Sequence, residues 1–268
     1  MKIPIYQVDA FTSQQFGGNP AAVCLLEKWL PEPLLQTIAA ENNLPATTFI
    51  VHNDDKYSIR WFGPDWEIPL CGHGSMAAAH VIFNYLDISL TKIIFNYPKG
   101  TLTAVKQAES IMLGFPILTV ETSAIPEILT QGLGLAPQEC FISNKTYIAL
   151  FNTEQQIRSL QPNVLTLQKL ACQNIIVTAK GDKVDFVSRN FYPNKSICED
   201  PVTGSAHCLL VPFWSNRLNK NNLHALQVSQ RGGELFCELR DDKVLLGGQA
   251  KLFMQGEIDL ICKRTMFA

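Results

Sequence analysis

The sequence predicts an α/β (α+β) protein of two pseudo-symmetric halves, each a barrel-like sheet around one central apolar helix. Three observations carry this. The first is an internal repeat. Arg60-Trp-Phe-Gly-Pro runs on to Cys71-Gly72-His73-Gly74-Ser75, and Arg189-Asn-Phe-Tyr-Pro runs on to Asp200-Pro201-Val202-Thr203-Gly204-Ser205. Arg60 to Gly74 spans 14 positions and Arg189 to Gly204 spans 15, so both copies pass from Arg-x-Phe-x-Pro to Gly-Ser. The second is that each Gly-Ser opens a run, 72–86 and 203–218, that is apolar on nearly every side. A helix of that kind is buried all round and needs sheet about it. The third is a series of short strand patterns in each half.

In order, Ile3–Val8 and Ala21–Leu26 read as strands, separated by the breaker-rich turn Phe16-Gly17-Gly18-Asn19-Pro20. Pro31 to Asn42 reads as a helix with Leu34, Leu35, Ile38 and Ala39 on one stripe. Thr47–Val51 and Tyr57–Phe62 are strands, and Gly72–Leu86 is the first buried helix. Lys92–Asn96 and Leu102–Lys106 form a pair about Tyr97-Pro98-Lys99-Gly100, followed by a strand at Ile111–Phe115. Pro116 to Ser123 is a crossover. The second half repeats the theme. It has helices at Pro126–Gly134, Val164–Ala171 and Thr203–Leu218, with strands at Glu139–Ile142, Thr146–Leu150, Asn174–Ala179 and Asp185–Phe191. Leu226–Gln230, Glu234–Arg240 and Lys243–Gly247 complete its strands.

The 268 residues suffice for one large domain or two ordinary ones. The expected division is 1–117 and 118–268, with the last strands packing back on the first half. An apolar fraction of 47% and a charged fraction of 17% fit a soluble globular protein with a substantial core. A net charge of −2 excludes the basic footprint of a nucleic-acid binder. No apolar run reaches the roughly 18 residues of a membrane span. The N-terminus reads as a strand rather than a signal peptide, which points to the cytoplasm. The eight cysteines (24, 71, 140, 172, 198, 208, 237 and 262) are scattered without CxxC spacing. They read as reduced thiols, with no zinc or other metal site.

The polar residues gather at the two glycine turns. Gly72, Gly74 and Ser75, and Thr203, Gly204 and Ser205, put free N–H groups and positive helix ends toward a gap between the halves. That suits a carboxylate or similar anion; an ordinary packed turn is the plain alternative. Asp200-Pro201 reads as a helix start, with aspartate as cap and proline in the first turn. His73, between two glycines, favours a place in the cleft. Cys71, at a helix N-terminus, is a candidate thiolate base of depressed pKa or an inert buried thiol. His80 and His207, farther inside the helices, read as structural. Arg231 sits in a hairpin from which it could reach an anionic ligand.

These segments also carry a resemblance. The matching strings are Val8-Asp-Ala-Phe11, Gly18-Asn-Pro-Ala-Ala-Val23, Asn43-Leu44, Thr48-Phe49, Arg60-Trp-Phe62, Pro69-Leu-Cys-Gly-His73, Glu199-Asp-Pro-Val-Thr-Gly-Ser-Ala-His207 and Ser229-Gln-Arg-Gly-Gly-Glu-Leu235. From end to end the chain resembles the phenazine-biosynthesis PhzF-like isomerases. The resemblance implies a diaminopimelate-epimerase-like fold with the active site between two halves. It also implies a homodimer, a small anionic substrate and cofactor-independent proton transfer. By motif it makes His73, Asp200 and Ser205 the groups that bind and polarise substrate; Asn19 and Arg231 are also expected among the substrate contacts. The family's proton-shuttling glutamate belongs to an Asn-Leu-Ser-Glu-Thr-x-Phe string, which here reads Asn43-Leu-Pro-Ala-Thr-Thr-Phe49 and puts Ala46 at that position. Three readings follow: an isomerase or epimerase with Cys71, His73 or Asp200 as its base, an enzyme of altered chemistry, or a binding protein that kept the cleft.

Overall fold

The computed structural model describes residues 1–53 and 56–260; Cys262 lies outside the described residues. The first half runs β1 (Lys2–Ala10), β2 (Asn19–Leu26), α1 (Glu32–Asn42), β3 (Ala46–Asn53), β4 (Lys56–Phe62), β5 (Glu67–Ile68), α2 (Gly72–Val81), β6 (Lys92–Tyr97), β7 (Gly100–Gln107) and β8 (Ser110–Pro116). Then come β9 (Glu121–Ser123), α3 (Glu127–Leu133), β10 (Glu139–Ser143), β11 (Thr146–Leu150), α4 (Glu154–Ser159), α5 (Val164–Leu167), β12 (Asn174–Lys180), β13 (Phe186–Phe191) and β14 (Glu199–Asp200). The chain continues as α6 (Gly204–Leu218), β15 (Asn222–Gln227), β16 (Gly233–Arg240), β17 (Lys243–Gly248) and β18 (Ala250–Asp259).

The pairing pattern is written twice. β1–β2 is antiparallel, β2–β3 parallel, β3–β4 and β4–β5 antiparallel, β4–β6 parallel, and β6–β7 and β7–β8 antiparallel. The same succession recurs from β10 to β17. Each copy is closed by a strand from outside it: β18 lies along β1, and β9 along β10, both antiparallel. A β8–β17 pairing joins the copies into one continuous sheet. α2 and α6 lie within this curved sheet. Met76 and Ala77 of α2 share one buried cluster with Leu210 and Val211 of α6. The Arg-x-Phe motif explains how each turn is held. The Arg60 guanidinium donates to both Glu67 oxygens at 2.7 and 2.6 Å and lies 5.1 Å from the Phe62 ring centre. Arg189 does the same with Glu199, at 2.7 and 2.9 Å, and with Phe191 at 5.0 Å. Each ion pair ties β5 or β14, just before a glycine turn, to its neighbouring long strand.

The structure departs from expectation in several places. The helix expected at 164–171 is the single turn α5, capped by Asn163. The longer α4 precedes it, started by a capping box of Thr153 and Gln156. The strand expected at 226–230 is β15, where Leu223, Ala225 and Gln227 alternate inward directly after the left-handed cap at Asn219. The crossover contains β9, and β18 was not anticipated. β18 is mostly exposed and lacks clean alternation, so its partner β1 rather than its own pattern makes it a strand. The first buried helix has the expected extent, but Ile82–Leu86 is a π turn, in which the Asp87 N–H donates to the Ile82 carbonyl at 2.9 Å.

Candidate active site between the two helix starts

The starts of α2 and α6 touch. A Cβ placed on Gly72 would lie 3.0 Å from the Gly204 Cα, and one on Gly204 would lie 3.0 Å from the Gly72 Cα. Only residues without side chains allow this approach. Beside it opens a cavity of about 450 Å³, lined by Cys71, Gly72 and His73 from one half and Asp200, Thr203, Gly204 and Ser205 from the other. Contacts between the halves cross its mouth. Asp65 accepts hydrogen bonds from the Ser196 hydroxyl at 2.8 Å and N–H at 3.3 Å, and the Lys195 ammonium sits 4.3 Å from the Trp66 ring centre. Lys99 adds a second cation to the lining. Thr203 begins α6 without a side-chain cap, so the first N–H groups of that helix are left for another acceptor.

Asp200 is not the expected helix cap. It ends β14, four residues ahead of α6, and its carboxylate is built into a network from both halves. Asn19 Nδ2 donates to Oδ1 at 2.6 Å and the Thr203 hydroxyl donates to Oδ2 at 2.6 Å. The Thr203 hydroxyl in turn accepts from Asn190 and Gln227, each at 3.1 Å. Behind it, Asn174 donates to Asn190 at 2.8 Å and Thr146 donates to Asn174 at 2.6 Å. Desolvation outweighs the Thr203 and Asn19 bonds, and with neighbouring Glu199 it lifts the Asp200 carboxyl to about 6.

Cys71 and His73 form a neutral pair. Burial pushes the Cys71 thiol up to about 12, against the lowering bond from the Gly74 N–H, and nearby Asp200 raises it further. Of the two readings of Cys71, the thiolate of depressed pKa is corrected and the inert buried thiol favoured, because desolvation outweighs the helix end. Burial drives the His73 imidazole down to about 3, with Nδ1 3.5 Å from Cys71 Sγ.

Other expected contacts stand elsewhere. Arg231 is corrected from ligand contact to internal clamp: its guanidinium binds buried Asp9 at 2.8 Å and the Gly17 and Gly18 carbonyls at 2.9 Å. The hairpin faces the β1–β2 connection rather than the cleft. Gly74 and Ser75 are fixed inside the turn and do not line the cavity. A Cβ on Gly74 would meet Thr48, Trp61 and Cys71, and the buried Ser75 hydroxyl donates to the Cys71 carbonyl at 2.6 Å. Asn19 is fully buried and orients Asp200 instead of lining the cavity. Ala46 is fully buried at the start of β3, opposite Ala21; its neighbour Pro45 reaches the cavity wall.

Sequence reasoning missed Tyr192. It lines the cavity, and burial and Asp200 raise its phenol above the usual range against bonds to Asn190 and Ser205. The repeat held the signal, because Tyr192 occupies the place of Gly63 in Arg-x-Phe-x-Pro and is the copy's one large polar departure. Gln227 and Asn190 were also missed; each sits in a strand whose pattern reads as plain core. Among the described residues no group of three or more His, Cys, Asp or Glu is arranged to hold a metal ion, and no helix is long and apolar enough to cross a membrane.

Comparison with known proteins matches this arrangement. A family model described as "Phenazine biosynthesis-like protein" covers residues 8–256. The chain is 42% identical over 260 residues to an uncharacterized isomerase of Pseudomonas aeruginosa, covering 97% of this chain and all of the relative. It superposes on the crystal structure of a PhzF-family phenazine biosynthesis protein from Enterococcus faecalis with a TM-score of 0.93 and 44% identity, over 97% of this chain and 100% of the other. A hydroxyproline epimerase from Agrobacterium vitis, 10% identical over 96% of this chain and 92% of its own, shares the fold with a TM-score of 0.67. The doubled α+β sheet and the extent of these matches together place the chain in the phenazine biosynthesis-like (PhzF) protein family.

Proposed function

We propose that the chain is an isomerase or epimerase that moves a proton within a small carboxylic or amino acid, without a cofactor, in the cavity between Gly72 and Gly204. One observation carries the reading: Asp200, lifted to about 6, stands beside two helix starts that favour an anion. A carboxyl of that pKa takes up and releases a proton near neutral pH. The substrate carboxylate rests at the α6 start, and Asp200 removes a proton from a neighbouring carbon. The carboxyl proton, exchangeable with solvent, returns to a second carbon on the same side of the substrate; in an epimerisation a solvent proton reaches the opposite face and Asp200 releases its own to solvent, so no oxidant or reductant is consumed. Neutral His73 and Tyr192 hydrogen-bond the charge that develops on the substrate. Cys71 stays a thiol and shapes the wall. The family names carried by relatives, such as the uncharacterized isomerase of Pseudomonas aeruginosa, agree with this class of reaction.

Ala46 favours a second reading, a small-acid-binding protein that has lost turnover, because a methyl group stands where the resemblance puts the shuttling glutamate. Solvent-deuterium incorporation into a panel of small cyclic amino and hydroxy acids separates the two. The first reading expects exchange in the wild type. Asp200→Asn should cut it by about 10²-fold or more, and kcat/KM should fall as pH drops below about 6. Cys71→Ser should retain most of it. Binding without exchange in the wild type, with exchange only in Ala46→Glu, overturns the enzyme and leaves the binding protein.

A further inference from the structure

A second cavity, also about 450 Å³, lies away from the helix starts and is unused by the chemistry above. Its walls come from the end of α2 and the π turn (His80, Phe83, Asn84, Tyr85), the β7–β8 hairpin (Lys106 to Ile111) and the start of β18 (Ala250 to Leu252). Two ammonium groups face it. Lys106 Nζ reaches only neutral acceptors, the Phe83 carbonyl at 3.3 Å and Asn84 Oδ1 at 3.4 Å. Among the described residues neither Lys106 nor Lys251 forms an ion pair, although Glu109 stands at the rim. Burial, then Lys251 and Lys106, lower the His80 imidazole to about 4, which puts both cations close to it and leaves it neutral near pH 7. Asn84 Nδ2 lies 3.3 Å from His80 Nδ1, so the proton belongs on Nε2, where it can be donated.

The duplication supplies the contrast. α6 runs as a regular helix to Leu218, whereas the equivalent length of the first helix ends in a π turn, a departure often found at functional sites. Counted from the helix starts at Gly72 and Gly204, the place of Tyr85 is taken in α6 by Arg217, which is neutralised by Glu139 at 2.7 Å and lies 4.6 Å from the Phe213 ring centre. The cation at this helix end in the second copy is thus held in an internal pair. The first copy keeps two cations at a mainly polar cavity whose lining also includes Tyr85 and Leu252.

We propose that this second cavity binds a small anion, a carboxylate or phosphate monoester, held by Lys106, Lys251 and His80. Its volume suits a small ligand. Amide and methyl NMR titrations with phenyl phosphate and with benzoate test it and tell the two anions apart; benzyl alcohol is the uncharged control. The expected result is saturable shifts at 80–85, 106–111 and 250–252 with at least one anion, weakened about tenfold in Lys251→Met and in Lys106→Met. Lys251→Arg should keep the affinity, which separates lost charge from lost folding. Shifts confined to residues 71–73 and 203–205, an unchanged affinity in both methionine variants, equal binding of benzyl alcohol, or no saturation with either anion would each overturn the proposal.

Discussion

Asp200 and Arg231 show how much a single side chain's role depends on what surrounds it. Both look like substrate contacts in the sequence, but only Asp200 lines the cavity. Arg231 serves Asp9, which is 222 positions away in sequence and nearly fully buried. Removing one partner of such a pair leaves a buried carboxylate short of donors, since the Phe16 N–H at 3.0 Å is its other bond. Arg231→Met should therefore lower stability by about 2–4 kcal/mol and leave ligand affinity unchanged. Urea unfolding beside a binding titration checks both halves of that statement, and a raised Kd at unchanged stability would return Arg231 to the site. His73, between two glycines, and Cys71, at the helix start, both line the cavity as their positions in the sequence suggested. Their neutral state was not legible there, because it follows from desolvation by elements that the local string does not contain.

At the scale of elements, the two glycine turns matter through their contact. Gly72 and Gly204 do not have positive φ, so alanine fits the backbone of either; what it lacks is room. Each Cβ would press on the opposing backbone at 3.0 Å, and overpacking of this kind costs about 1–3 kcal/mol. Gly72→Ala and Gly204→Ala should each destabilise within that range. The double variant should cost more than the sum, since the two new methyl groups then face one another. Thermal or chemical denaturation of the three variants measures the coupling, and strict additivity would show that the helices do not meet as described. The repeat made both helix starts legible. Helix α4 and strand β15 were misjudged because a capping box and a left-handed cap set their ends more strongly than hydrophobic spacing did.

For the whole molecule, titration of buried groups links folding to pH. His73, His80 and His207 are lowered to about 3, 4 and 4, all chiefly by burial. Each folded value lies below the ordinary 6.5, so the unfolded chain binds these protons first. Their contribution is complete above about pH 6.5 and is lost as pH falls toward 4. Asp200 runs the other way: its raised value gives stability that is full below the ordinary carboxylate range and is lost as pH rises through about 6. Three groups oppose one, so unfolding free energy should fall on acidification from pH 7 to about 4.5. His80→Asn should flatten that slope by about one proton, near 1.4 kcal/mol per pH unit. A slope of the opposite sign would mean the histidines are not held neutral.

The sequence by itself determined the doubled architecture, the two apolar helices and the two glycine turns at their starts. These follow from periodicity, breakers and repeated strings, which act over a few residues. Only the tertiary structure decided which polar groups are charged, which glycines touch and which strands close each half. β18 is a strand because β1 lies beside it, and Asp200 titrates near 6 because its surroundings exclude water. Desolvation and strand pairing are properties of neighbours brought together from distant parts of the chain, so no local pattern contains them.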